Sequence, residues 1–250
     1  MPLPLRHLIA YALPALPLAA LVLPVYVFLP SAYAQAGLPL ASIGIILLLA
    51  RLWDGVTDPL VGVLSDRTDT RFGRRKPWIA AGLPLTLLSL WFLMVPGDGV
   101  GAAYLLCWSF ALFLGWTMMI VPLTAWGAEL SGDYHQRTRI TGFREGASII
   151  GTVLALSLPF AAGVGAAGQE REALRLLALC ILLLLPTFTV IALVAVPEYR
   201  QPPKPPLKFR RGMKVIFANG AFRKLIAAYL INGIANGLPA QLFLFFVQHL

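Results

Sequence analysis

Arg51-Leu52-Trp53-Asp54-Gly55-Val56-Thr57-Asp58-Pro59 and, two residues later, Gly62-Val63-Leu64-Ser65-Asp66-Arg67-Thr68-Asp69-Thr70-Arg71-Phe72-Gly73-Arg74-Arg75-Lys76-Pro77 decide how this chain is read. The first stretch lies within an apolar run over about 40–64, and the second is a basic loop. Spacings of three and four put Arg51, Asp54 and Asp58 on one helical face. Ionised groups at membrane depth are costly unless they pair or line a cavity. Two acids facing one arginine leave an excess negative charge. One Na⁺ or H⁺ neutralises it, since carboxylate oxygens are hard ligands. The competing reading is a static Arg–Asp network that locks helices together. Pro59 also frees a carbonyl in the preceding turn, a further candidate ligand.

The surrounding composition supports a membrane setting. Hydrophobic residues make up 58% of 250 and charged residues 12%, against roughly 25% charged in a soluble domain. Mean hydropathy is +0.78. A water-soluble globule of this size cannot hide that much apolar surface, and a disordered chain needs the opposite composition. Seven apolar segments are long enough to span a bilayer, at about 8–30, 40–64, 78–96, 102–127, 142–165, 173–196 and 223–248. Pro14, Pro17, Pro24 and Pro30 predict a kinked first segment beside a cavity. Cys107 and Cys180 lie within apolar runs and read as small hydrophobes.

The net charge of +9 comes from basic residues gathered in short loops, which argues against a nucleic-acid partner. Seventeen of the 20 Lys and Arg fall on one side of the seven segments. That side is expected in the cytoplasm, with the amino terminus. The expected location is the cell membrane, multi-pass. Residues 1–196 form the expected six-helix unit, 197–222 a Pro-rich basic linker, and 223–250 a seventh helix opening a second unit. Six helices supply one wall of a central site. The expectation is therefore that these 250 residues do not transport alone, and that the missing bundle belongs to a longer chain or to a second copy.

A Gly-x-x-x-Asp-Arg element followed by Gly73-Arg74-Arg75-Lys76 resembles the signature loop of major facilitator transporters. With Asp54-x-x-x-Asp58-Pro59 before it, the pattern resembles the glycoside–pentoside–hexuronide:cation symporter branch. A second patch agrees: Val121-Pro122, Gly127-Ala128-Glu129-Leu130, Asp133 to Arg139, and Gly142-Phe143-Arg144. The resemblance implies an all-α major facilitator-type six-helix bundle. It also implies cation-coupled symport of a small organic solute, such as a sugar or glycoside, by alternating access. Asp54, Asp58 and Thr117 then match cation ligands, Arg51 their companion arginine, and Arg144 a residue near the solute. Asp66, Arg67, Gly73, Arg74 and Arg75 form a gating loop, whose plainer reading is a topogenic basic loop. Trp116, beside Thr117, is a candidate for stacking on solute or for packing. Glu129 is expected to pair with Arg137 or Arg139, and Gly142 with Gly146 to allow close helix contact.

Two departures weaken the sugar reading. The first segment has no acid, and the acid expected on the fourth falls on Ile120. A lipid or amphiphile transporter on the same scaffold is the alternative, and a non-transporting truncated fragment is another. No nucleophile–base arrangement points to an enzyme. No cofactor is implied beyond the coupling ion, and the partners implied are the solute, that cation and the bilayer.

The charge asymmetry yields a topology test. Cysteines replacing Arg74 and Gly99 are expected to label oppositely with a membrane-impermeant thiol reagent in intact cells. Labelling of Arg74→Cys from outside contradicts the orientation.

Overall fold

The structure is a computed structural model describing residues 3–97, 99–165, 168–198 and scattered positions from 218 to 232. Among the described residues up to 198, six helical segments follow one another: α1 (Leu5–Gln35), α2 (Leu40–Arg67), α3 (Lys76–Met94), α4 (Ala102–Glu129), α5 (Tyr134–Ala161) and α6 (Glu170–Ala195). No strand occurs among the described residues, and an isolated bridge between Thr70 and Gly73 closes the α2–α3 turn. Five segments, α1 to α4 and α6, are long and apolar enough to cross a membrane. The protein is an all-α polytopic membrane protein. The expected linker over 197–222 and seventh helix over 223–248 lie largely outside the described residues.

The fifth segment differs most from its sequence outline. α5 begins at Tyr134, eight residues before the expected start. Asp133 explains the difference: its side chain accepts the Gln136 backbone N–H at 2.8 Å and caps the helix. The helix therefore takes in Arg137 and Arg139, which join Arg144 and Glu145 of the expected segment to make its first half polar.

Proline shapes α1. Two α-helical stretches, Leu5–Ala12 and Ala15–Leu23, lead into a wide π turn over Pro24–Phe28 before helix resumes at Leu29–Gln35. A proline ring cannot donate to the preceding turn and crowds its carbonyl, so the helix widens there. Each of α2 to α6 carries one internal proline: Pro59, Pro84, Pro122, Pro159 and Pro186.

The packing repeats itself. α1 packs on α5 and α6, α4 packs on α2 and α3, and α3 meets α6. These principal contacts are unchanged when α1, α2 and α3 are exchanged with α4, α5 and α6. That is the signature of two three-helix repeats, a common transporter architecture. Tyr11 and Tyr33 are fully buried, and their hydroxyls donate to the Leu123 carbonyl at 3.0 Å and the Leu93 carbonyl at 3.1 Å.

Small residues set the closest approaches, though not at the expected pair. A Cβ on Gly142 or Gly146 would meet nothing within 4 Å, since that part of α5 faces outward. The close contact falls at Gly151, where a Cβ would overlap the Leu16 backbone carbonyl of α1. Gly151→Val is therefore expected to cost about 1–3 kcal/mol, because a backbone atom cannot swing away. Gly142→Ala is expected to be neutral or slightly stabilising through helix propensity. Thermal unfolding in detergent checks both, and equal losses would contradict the packing.

Candidate functional site

Asp54 and Thr117 sit near the middle of their helices, the fifteenth of 28 residues in α2 and the sixteenth of 28 in α4. Asp54 and Thr117 are buried and Asp58 is half-buried. The Thr117 Oγ1 lies 2.8 Å from an Oδ1 of Asp54 and 2.8 Å from an Oδ1 of Asp58. A hydroxyl carries one proton. It can donate fully to only one of the two carboxylates at a time, so both negative groups crowd around a single donor. An uncompensated Asp at membrane depth costs about 2.5–3.5 kcal/mol on insertion scales. Arg51 compensates one of the two, with Nη1 at 3.4 Å from the Asp54 Oδ2. The Thr57 hydroxyl donates to the Asp54 carbonyl at 3.3 Å.

Arg51 reaches a second feature. A cleft of ≈ 60 Å³ is lined by Leu21, Val22, Val25, Tyr26, Arg51, Leu112, Phe113 and Trp116. The π turn of α1 forms one of its walls. The Arg51 guanidinium lies over the Tyr26 ring, 5.4 Å from its centre. The Trp116 indole N–H is buried and has no hydrogen-bond partner among the described residues. The sequence candidates Arg51 and Trp116 therefore share one cleft beside the Asp54–Thr117–Asp58 cluster. Arg144 does not line it. That residue donates to the Thr124 hydroxyl at 2.8 Å, pairs with Glu145, and lies near Tyr11.

At the basic-loop end, Arg75 is almost fully buried and bridges three helices. Its guanidinium donates to the Ser65 hydroxyl at 2.8 Å, to the Asp66 carboxylate, and to the Glu129 Oε1 at 2.7 Å. Arg74 adds a second pair with Glu129 at 3.3 Å. Burial pushes the Arg75 guanidinium down, but the bonds and charges of Glu129 and Asp66 outweigh it and hold it above the ordinary arginine range. The charge lock expected of this loop is thus Asp66–Arg75–Glu129, and Glu129 pairs with Arg74 and Arg75 rather than with Arg137 or Arg139. Arg137 and Arg139 stay on the exposed first turns of α5, bonded to the Ser131 carbonyl and Gln136. Arg67 is exposed and stays outside the lock. Arg75 Nε and Glu129 Oε2 are buried without partners among the described residues, so the lock is incompletely satisfied.

Glu198, which the sequence did not single out, and Lys76 of the signature element complete this end. The Glu198 carboxylate accepts the backbone N–H groups of Arg74 at 2.6 Å, Arg75 at 2.8 Å and Lys76 at 3.3 Å, capping the start of α3. In return the Lys76 Nζ donates to the carbonyls of Leu193 at 2.8 Å and Val196 at 2.7 Å, capping the end of α6. Gly73 is required between them. Its φ is 105°, and a Cβ there would overlap the Glu198 carboxylate. The available signal was a lone acid directly after an apolar segment, on the basic side of the chain.

The profile of the MFS/sugar transport protein family matches residues 10–250. An uncharacterized symporter of Synechocystis is 31% identical over 154 residues, covering 55% of this chain and 27% of that protein. The sodium-dependent lysophosphatidylcholine symporter 1 of Gallus gallus is 29% identical over 230 residues, covering 76% of this chain and 43% of that protein. The isoprimeverose transporter of Lactiplantibacillus pentosus is 27% identical over 139 residues, covering 52% and 28%. The chain thus spans less than half the length of these curated relatives.

The lock separates two otherwise similar acids. Glu129 is 17% exposed and Asp66 61%. Glu129→Gln leaves the buried Arg75 charge short of its main partner and is expected to cost about 3 kcal/mol. Asp66→Asn removes an exposed partner and is expected to cost less than about 1 kcal/mol. Thermal unfolding of both variants in detergent checks the order, and a larger loss for Asp66→Asn would contradict it.

Proposed function

The chain belongs to the MFS/sugar transport protein family, and from that premise we propose that it holds the cation-binding wall of a secondary active symporter. The symporter couples Na⁺ or H⁺ to a small organic solute by alternating access. The observation that carries this reading is the single Thr117 hydroxyl set 2.8 Å from both Asp54 and Asp58. Its geometry supports one monovalent positive charge between the acids. In this reading Asp54, Asp58 and Thr117 hold the cation. Arg51 and Trp116 face the solute, and the Arg75–Glu129 lock holds one access state. The amino terminus and the α2–α3 loop face the cytoplasm, following the charge asymmetry.

A cleft of ≈ 60 Å³ is one wall rather than a whole site, since solute pockets usually enclose about 300–1,000 Å³. The remaining wall comes from a second bundle, in a longer chain or a second copy. Two observations favour a lipid or amphiphile over a sugar as the solute. The cleft is lined almost wholly by apolar side chains, and α1 carries no acid to bind sugar hydroxyls. A family relative named for lysophosphatidylcholine fits this second reading, while one named for isoprimeverose keeps the sugar reading in play.

Ion-dependent uptake by the natural gene product tests the cation site. Asp58→Asn keeps the shape and removes one charge. It is expected to abolish ion-dependent uptake while leaving membrane insertion normal. Thr117→Val is expected to weaken apparent cation affinity about tenfold or more, the equivalent of one lost hydrogen bond to a charged group. Normal ion-dependent uptake by both Asp54→Asn and Asp58→Asn would make the acids structural and overturn the reading.

A further inference from the structure

One face of α6 stays uncovered along the whole helix, while its other faces pack on α1, α3 and α5. Leu179, Leu183, Val190 and Val194 lie along that face and are exposed. Their spacings of four, seven and four keep them on one side of the helix. Arg171 and Arg175 continue the row in steps of four toward the helix start, and both are exposed. Nineteen residues of α6 take the chain from Arg175 to Val194. They span about 28 Å at 1.5 Å per residue, close to the ~30 Å hydrocarbon core of a bilayer. Val194 stands at the basic-loop end, where Lys76 binds the carbonyls of Leu193 and Val196. Arg175 therefore falls at the headgroup level of the opposite leaflet, with Arg171 one turn beyond it.

These two arginines break the charge asymmetry of the chain. Of the 20 Lys and Arg, seventeen lie on the basic-loop side and Arg51 lies within the bundle, which leaves Arg171 and Arg175. Neither guanidinium has a hydrogen-bond or ion-pair partner among the described residues. Glu170, beside them, is taken by Gln35 at 2.8 Å and Ser31 at 3.4 Å on α1. Glu172 is exposed and pairs with neither arginine. Arg171, Glu172 and Arg175 thus sum to one positive charge at the rim of an apolar face. A single phosphodiester neutralises it, and its oxygens suit two guanidiniums one turn apart, about 5–6 Å between Cβ atoms. A zwitterionic headgroup brings no net charge, and its ammonium is repelled by the arginines. We propose that Arg171 and Arg175 form a binding site for the phosphate of an anionic phospholipid, whose acyl chain lies along Leu179 and Leu183. The lipid comes from the bilayer and sits outside the cleft, which no α6 residue lines. The site is independent of the cation and solute readings above.

The test places the full natural gene product in phosphatidylcholine nanodiscs. Each disc carries a trace of photoactivatable phosphatidylglycerol or phosphatidylcholine with the same diazirine-bearing acyl chain. Crosslinked residues are mapped by peptide mass spectrometry. The phosphatidylglycerol probe is expected to label the 179–190 stretch at least about tenfold more than the phosphatidylcholine probe, the equivalent of one charge-assisted contact. Arg171→Gln with Arg175→Gln is expected to abolish that preference on α6 while labelling near the basic loops is unchanged. Arg171→Lys with Arg175→Lys is expected to keep part of it, because the charge remains and the planar fork does not. Unlabelled phosphatidylglycerol in the disc is expected to compete, and inorganic phosphate in the buffer is not. Equal labelling of α6 by the two probes, a preference that survives the double glutamine variant, or competition by inorganic phosphate overturns the proposal. So does an absence of labelling on α6, the outcome if a second bundle covers this face. Should the double glutamine variant not fold, the contrast between the two probes on the unmodified protein still decides.

Discussion

One proton on the Thr117 hydroxyl has to serve two carboxylates, and the middle of the bundle is organised around that shortage. α2 brings both acids and α4 brings the hydroxyl, so the contact between these helices is also the contact that places the site. Elsewhere that interface is made of apolar side chains, which pack without choosing a partner. The polar cluster is specific: sliding α2 by one residue would turn Asp54 away from Thr117. A buried acid pair is expensive to keep in an apolar bundle. Its cost is offset in part by Arg51 and by the Thr117 hydroxyl.

The same two helices connect this site to the lock at the basic-loop end. Asp54 and Asp66 are separated by twelve residues along α2, and Thr117 and Glu129 by twelve along α4. At 1.5 Å per residue each rod spans roughly 18 Å. The same two helices therefore join the Asp54–Thr117 contact to the Asp66–Arg75–Glu129 bridge at the other end. The crosswise caps hold the neighbouring helix ends together. Glu198 and Lys76 tie the start of α3 to the end of α6 through backbone groups, which cannot be lost without exposing helix ends. The lock itself rests on side chains, two of whose buried polar atoms lack partners among the described residues.

Much of this was legible in the sequence because it depends on short-range spacing. The apolar segments, the α2 face bearing Arg51, Asp54 and Asp58, and the proline kink of α1 all follow from periodicities within one helix. The pairing of Thr117 with both acids came from resemblance, since nothing in the spacing alone joins α4 to α2. Other features were illegible for the same reason. Glu198 reads as one charge after an apolar run until the end of α6 is seen beside the start of α3. Glu129 is nearer in sequence to Arg137 than to Arg75, yet the fold brings α3 and α2 to it. Gly142 and Gly146 have the spacing of a packing pair, but the helix turns Gly151 toward α1 instead. Spacing along one helix says which residues share a face, and only the packing says what that face meets.

The repeated packing of the two three-helix sets adds a final constraint. The α2–α4 contact has its counterpart in the α5–α1 contact, since exchanging the sets maps one pair onto the other. The first holds Asp54, Asp58 and Thr117. The second brings Arg144 on α5 near Tyr11 on α1, with Arg144 bonded to Thr124 of α4. The two corresponding helix contacts thus differ in the charge they carry. Had both contacts kept two acids, the bundle would hold several uncompensated negative charges at membrane depth, at a cost of a few kcal/mol each. Had both carried arginine, no cation would bind. The backbone repeat provides two similar crevices between helices. Substituting an arginine with its own glutamate neighbour, Glu145, in one of them leaves the other as the only one of the two where an added positive charge is needed. The polarity of the side chains, rather than the shape of the bundle, is what sets the α2–α4 crevice apart from its counterpart.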